Sequence, residues 1–201
     1  MWSRMLQFQA YCDMDGGGYT VIQQRRTGST AFDQDWAAYK AGFGSVSEDF
    51  WLGLEPMHAL TTNCKLSHAR FELRFCAGNE TFTDYSTFQV GSEGSGYALT
   101  LLGHLGPASD GFVLTHGAQS PNGARFSTRD RDQDALSTAN CATAYGQGGG
   151  WWYRQCGYSW IHSLYNCPSN MACGLGMNWR TSLAACRSLA QIAIKIRPPI
   201  N

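Results

Sequence analysis

The sequence predicts a loop-rich, disulfide-bonded globular domain in which strands and short helices precede a long irregular portion and a final strand closes the chain. Three observations carry this. Apolar residues recur at strand and helix spacings up to about residue 101 and again at Ile192, Ile194 and Ile196, whereas periodicity largely vanishes between 103 and 180 and Gly, Asn, Ser and Cys accumulate there. The eight cysteines (12, 64, 76, 141, 156, 167, 173 and 186) form an even set without a CxxC pair. Only 15% of residues are charged while 13% are aromatic, in a chain of 201 residues that is long enough to bury a real core.

The elements follow in order. Thr20–Arg25 (TVIQQR) reads as a strand leaving the Gly16–Gly18 turn. Phe32, Trp36, Tyr39 and Phe43 recur at helical spacing, with Gly42 and Gly44 as stop signals, so a helix is expected over 32–41. Pro56 at a helix start, with Met57 and Leu60, predicts a second short helix. Phe71, Leu73 and Phe75 alternate with Glu72 and Arg74, as a half-buried strand requires. Thr81–Val90 and Tyr97–Leu101 read as further strands, and 192–196 as a last strand returning to the central sheet. So much loop in a compact domain implies that bridges or ions order it and that function needs it.

Composition excludes several classes. Lysine plus arginine equals aspartate plus glutamate, 15 each, which leaves no electrostatic footprint for nucleic acid or an anionic membrane. No apolar run approaches the roughly 18–20 residues that span a bilayer. The start, MWSRMLQFQAYCDMD, has no apolar leader region, so the chain reads as a mature fragment. Zinc sites bring cysteines or histidines two to four apart, and the five histidines are scattered. A disulfide-bonded, secreted protein is the better reading, and the sequon Asn79-Glu80-Thr81, a candidate glycosylation site, agrees with it. All eight cysteines are then expected to be oxidised if the domain is self-contained. No GxSxG, HExxH or phosphate-cradling GxxxxGK[ST] is present, so no enzyme is predicted.

The richest segment is Phe126–Cys156, FSTRDRDQDALSTANCATAYGQGGGWWYRQC. Asp130, Asp132 and Asp134 alternate on an irregular stretch, and their oxygens converge only if something holds them against repulsion. Calcium, with six to eight oxygen ligands and tolerance of a flexible loop, is the natural agent. An EF-hand starting at Asp130 fails, because it needs Gly at 135 and Glu at 141 where Ala135 and Cys141 stand. A solvated acidic turn with Arg129 and Arg131 as counter-charges stays open on residue types alone. Trp152 is expected in the core.

These segments together resemble the fibrinogen-related C-terminal domain of ficolins, tachylectins, angiopoietins and the fibrinogen chains. The residues that carry the resemblance are YCDMDGGGYTVIQQRRTGS (11–29), FDQDWAAYKAGFG (32–44), FWLGLEPMHALTT (50–62), FSTRDRDQD (126–134), NCA (140–142), WWYRQC (151–156) and IKIRP (194–198). It covers about 11–199, so the whole of 1–201 is taken as a single domain. It implies an α+β fold: a small N-terminal portion, a central twisted antiparallel sheet with short helices, and a loop-rich calcium and ligand portion over 103–190. It implies that Cys141 and Cys156 are paired. It also implies a calcium loop built from Asp132 and Asp134 with two carbonyls. One extra residue before Cys141 leaves Leu136 or Ser137 for the first and Thr138 or Ala139 for the second.

For the ligand site the resemblance implies an apolar pocket beside this loop. Tyr145 falls on a pocket tyrosine, and Gln155–Cys156 falls on a cis peptide that turns backbone donors toward the ligand. The sequence departs at Gly157, where sugar binders carry a histidine, and at Cys173 and Ala185, where they carry ring side chains. Tyr158, Trp160 or Tyr165 is a replacement stacking surface, with Trp160 and Gly174 completing the expected ligand-binding set. Cys167 and Cys173 bracket a short loop that a bridge between them would stiffen; Cys12, Cys64, Cys76 and Cys186 allow three pairings. The expected function is a secreted recognition lectin for glycans or microbial surface polysaccharides, innate-immune in kind and multimeric in the full-length protein. The alternative is a domain that recognises a protein receptor or a peptide end.

Overall fold

The computed structural model describes residues 8–65, 67–112, 119–157, 159–167, 176–180 and 186–199, the side chain of Cys186 excepted. Nine strands and three short helices are found among them. In chain order they are β1 (Tyr11–Asp13), β2 (Tyr19–Arg25), α1 (Trp36–Ala41), β3 (Phe43–Gly44), β4 (Phe50–Trp51), α2 (Leu54–Thr62), β5 (His68–Phe75), β6 (Glu80–Val90), β7 (Leu99–Leu105), α3 (Cys141–Ala144), β8 (Asn178–Arg180) and β9 (Cys186–Arg197). The antiparallel path runs β3-β4-β2-β9-β5-β6-β7, with β1 on β2 and β8 on β9. Strands and helices around one sheet, with an irregular lobe packed on it, are the expected α+β architecture.

The alternation in β5 comes out as read. Phe71, Leu73 and Phe75 are buried, while Glu72 and Arg74 lie on the opposite face. β9 does return to the sheet, inserted between β2 and β5, and buries Ile192, Ile194 and Ile196. α1 starts later than its apolar spacing suggests. Asp35 accepts a hydrogen bond from the Ala38 amide and caps the helix there, so Phe32 belongs to the preceding loop.

The irregular lobe docks through aromatics. Trp152 is buried, packs edge-on against Phe126 with centroids 5.0 Å apart, and donates its indole N–H to the Tyr97 carbonyl at 2.7 Å. Tyr39, Trp51, Trp151 and His162 complete the same cluster. The glycine run ahead of Trp151 exists for close approach. A Cβ on Gly149 would stand 2.2 Å from the His162 carbonyl oxygen, and one on Gly150 would stand 2.8 Å from the Tyr39 ring.

Two disulfides are formed, and one corrects the sequence reading. Cys141 pairs with Cys156. Cys167 pairs with Cys76, not with Cys173, which lies outside the described residues. The fold supplies the reason. Tyr165 donates its hydroxyl to the Arg26 carbonyl at 2.7 Å, which straps this loop to the end of β2. The β5–β6 turn emerges at the same end of the sheet and carries Cys76, whose amide bonds the Ser188 carbonyl of β9. The fold thus brings to Cys167 a partner 91 residues away in sequence. Cys12 and Cys64 are exposed and unbridged, so the full oxidation expected of a self-contained domain is not found within this chain.

Candidate functional site

The acidic loop is built on the core. A bridge between Ser127 and Trp151 pins its start, and the Ala135 amide bonds the Arg154 carbonyl further on. Asp130 is committed to structure. Its Oδ1 accepts the Trp36 amide at the start of α1 (2.9 Å) and the Thr128 hydroxyl (2.7 Å). The interleaved arginines do not neutralise the remaining two carboxylates. Arg129 faces Asp33 and Arg131 faces Glu93, each at 3.9 Å, and Arg131 lies over the Trp36 ring.

Asp132 and Asp134 are therefore left side by side. Asp132 Oδ1 accepts the Asp134 amide at 3.2 Å. Asp134 accepts the Leu136 amide on Oδ1 (2.8 Å) and the Cys141 amide on Oδ2 (2.7 Å). Burial pushes the Asp134 carboxyl above its ordinary value, and the neighbouring Asp132 pushes the same way, against both backbone donors. Two adjacent carboxylates, one partly desolvated and without a basic partner, form a donor pair that a hard cation relieves. No group of three or more His, Cys, Asp or Glu side chains converges among the described residues, so further donors would be carbonyls. The residues present fit calcium: Asp132 and Asp134 would hold it, with Leu136 or Ser137, then Thr138 or Ala139, supplying carbonyl oxygen.

The loop passes its geometry on to an aromatic pair. Asn140 caps α3 by accepting the Ala142 amide and ties back to the Thr128 carbonyl. α3 then ends at Tyr145, which is 46% exposed. Trp160 lies beside it with centroids 6.0 Å apart and planes 30° from parallel. The Trp160 indole donates to the Cys156 carbonyl at 2.9 Å, and Cys156 is bridged to Cys141 at the head of α3. Tyr145, Cys156 and Trp160 are thus brought together, with Gln155 and Gly157 flanking Cys156. Gly174 lies outside the described residues, as do Tyr158, Cys173 and Ala185.

The expected cis bond at Gln155–Cys156 is not found; every described peptide bond is trans. The turn is made instead by left-handed backbone at Cys156 (φ 62°) and Gly157 (φ 62°), unusual for a non-glycine residue and held by the disulfide and the indole bond. This changes the donor set. The Gly157 amide bonds back to the Gln155 carbonyl at 2.8 Å, so two convergent donors are not presented. The Cys156 amide donates to no described residue.

Sequence reasoning missed the supports behind this face. Arg25 is 2% exposed, and its Nη1 donates to the carbonyls of Ile161 (3.0 Å) and Ser163 (2.6 Å), just past Trp160. It lies over the Phe32 ring at 4.3 Å, and burial lowers its pKa to about 10. The only available signal was inward alternation with Val21 and Gln23 along β2, which does not say what the guanidinium reaches.

A family model, the C-terminal globular domain of fibrinogen beta and gamma chains, matches residues 2–199. Ryncolin-4 of Cerberus rynchops is 39% identical over 191 residues, which is 94% of this chain and 52% of the relative. The mouse fibrinogen C domain-containing protein 1 is 38% identical over 198 residues, 95% of this chain and 41% of that protein. The chain thus spans about half or less of these relatives. Among solved structures, the fibrinogen-like globe domain of human ANGPTL2 superposes with a TM-score of 0.82 at 33% identity, covering 96% of this chain and 87% of that one. Lamprey fibrin D-dimer, complexed with the peptide Gly-His-Arg-Pro-amide, superposes at 0.79 with 28% identity, covering 96% and 65%. The chain belongs to the fibrinogen C-terminal globular domain family.

Proposed function

We propose that this is a secreted, non-enzymatic, calcium-assisted recognition domain that takes carbohydrate, N-acetylated sugars included, on the Tyr145–Trp160 face. The observation that carries it is the exposed Tyr145 and the half-buried Trp160, set side by side and joined through Cys141–Cys156 to the Asp132/Asp134 loop. Pyranose rings stack on such faces, and the Cys156 amide suits an acetyl carbonyl. Bound calcium would neutralise the two carboxylates and fix the loop from which α3, and hence Tyr145, departs. Without side-chain walls at Gly157 the site is shallow, single-site affinity is weak, and a multimeric parent protein supplies avidity on glycan-bearing surfaces.

A glycan array probed with and without EDTA tests this, with N-acetylglucosamine titrated into wild type and Tyr145→Ala. Calcium-dependent hits weakened by the substitution support the lectin reading. Equal affinities in the two proteins sink it. A blank array turns to the second reading, recognition of a protein or peptide end, which the peptide bound to the similar lamprey fibrin structure favours.

A further inference from the structure

A groove of about 500 Å³ crosses β2, β9, β5 and β6 on the sheet face opposite the aromatic core, at the end of the sheet that carries the Cys76–Cys167 bridge. It shares no residue with the Tyr145–Trp160 face. Its lining includes Gln24, Arg26, Glu72, Arg74, Gln191 and Phe82. Three arginines, Arg25, Arg26 and Arg74, stand with Glu72 and Glu80; the Arg25 guanidinium is turned away onto the Ile161 and Ser163 carbonyls, and Glu72 is paired with Lys195, so the open side chains carry both signs. Planar amide, guanidinium and carboxylate groups beside an aromatic ring are the usual partners of an uncharged polyol, each able to span neighbouring hydroxyls. Much of that capacity is unspent. Gln24 uses Nε2 on the Glu48 carbonyl and Gln191 uses Nε2 on the Arg26 carbonyl, leaving both amide oxygens free. The Arg26 guanidinium donates to the Ser47 carbonyl while its amide donates to Asp49 Oδ1, and the exposed Arg74–Glu80 pair is 3.5 Å apart.

One polyol source is already tethered at the rim. Asn79 is exposed in the β5–β6 turn, where its carbonyl accepts the Phe75 amide. Its side-chain amide bonds no described residue. The next two residues of the Asn79-Glu80-Thr81 sequon, Glu80 and Thr81, line the groove. We propose that Asn79 carries an N-linked glycan whose inner N-acetylglucosamine units lie in this groove and cover the open face of the sheet. The attachment transfers an oligosaccharide from a lipid-linked diphosphate donor. Asn79 Nδ2 loses a proton and bonds the anomeric carbon, and the bond from that carbon to the diphosphate oxygen breaks. The inference rests on the secreted reading, because only that route exposes the chain to the donor.

The test expresses the chain from a eukaryotic host behind a supplied signal peptide, so that failure to glycosylate reflects Asn79 and not routing. Intact mass should show a glycan that Asn79→Gln removes. A docked core resists an amidase in the native protein. Ala193→Phe, which fills the groove, and Gln191→Ala, which removes one polar wall, should each speed native deglycosylation about tenfold while leaving the rate after denaturation unchanged. The second variant covers the case in which the larger side chain disturbs folding. Tyr145→Ala should leave the rate unchanged, which separates this groove from the proposed sugar face. An unmodified Asn79, or equal native rates in wild type and both groove variants, overturns the proposal. So does binding of free chitobiose to Asn79→Gln at wild-type groove residues with no protection of the tethered glycan, which would assign the groove to an external sugar.

Discussion

His162 shows how one buried side chain sets a pH limit. It is 2% exposed, with Nδ1 2.6 Å from the Gly150 carbonyl and 3.3 Å from the Tyr39 hydroxyl, and Nε2 has no partner. Burial first, and then the Arg25 charge, hold its pKa well below the usual value of 6.5. The folded state therefore binds this proton less readily than the unfolded state. Its contribution to stability is complete above pH 6.5 and is lost as pH falls below it. One proton is worth at most about 1.4 kcal/mol per pH unit. His68 shifts in the same direction, so the comparison is with a variant. Urea melts at pH 7.5, 6.5 and 5.5 should give His162→Gln a shallower loss than wild type, and parallel slopes would contradict the assignment. At this scale the sequence was legible where a residue's fate is local. Trp152 in a turn before a strand read as core and is core. Arg25 and His162 did not read at all, because their partners lie more than a hundred residues away or across the aromatic cluster.

At the scale of elements, the acidic loop and α3 act as one unit, since the Asp134 carboxylate bonds the Cys141 amide that begins the helix. A ligand bound only to the native state stabilises by about 2.7 kcal/mol at a hundredfold excess over its Kd. Chelation should therefore lower Tm by several degrees, at roughly 2–4 °C per kcal/mol for a domain of this size. Asp134→Ala should abolish the difference between calcium and EDTA. A wild-type melting curve indifferent to EDTA would leave the acidic run a plain turn. The sequence revealed the unit but not its inner division of labour. The resemblance singled out Asp132 and Asp134, but what the first aspartate does instead is seen only in the fold, where Asp130 is spent on the start of α1. The Gln155–Cys156 turn was likewise found at the right place with the wrong backbone, because a bridged cysteine can satisfy a sharp reversal through its own φ.

For the whole molecule, the central sheet and the return of the last strand to it were legible in outline, since Phe71, Leu73 and Phe75 in β5 and Ile192, Ile194 and Ile196 in β9 alternate, whereas the order of strands was not. Cross-links were not, because cysteine spacing says nothing about which turns meet at one end of a sheet. Non-reducing peptide maps should recover Cys76 joined to Cys167. Loop-closure entropy ranks their removal: Cys76→Ser, opening a loop of 91 residues, should cost more, about 4–5 kcal/mol, than the roughly 3 kcal/mol of opening the 15-residue Cys141–Cys156 loop. Equal losses in denaturant melts would rule out that ranking.

The central position of β9 also governs how the chain is made. β2 and β5 leave the ribosome early, yet the strand that joins them is the last to arrive. At about 5–20 residues per second, the first half of the sheet waits several seconds or more with two open edges and no neighbour to share them. During that wait the Cys76 thiol has no Cys167 to meet, and Cys64 is its near neighbour along the nascent chain. Synthesis from one end therefore leaves Cys76 a thiol without its partner until about ninety further residues have followed it.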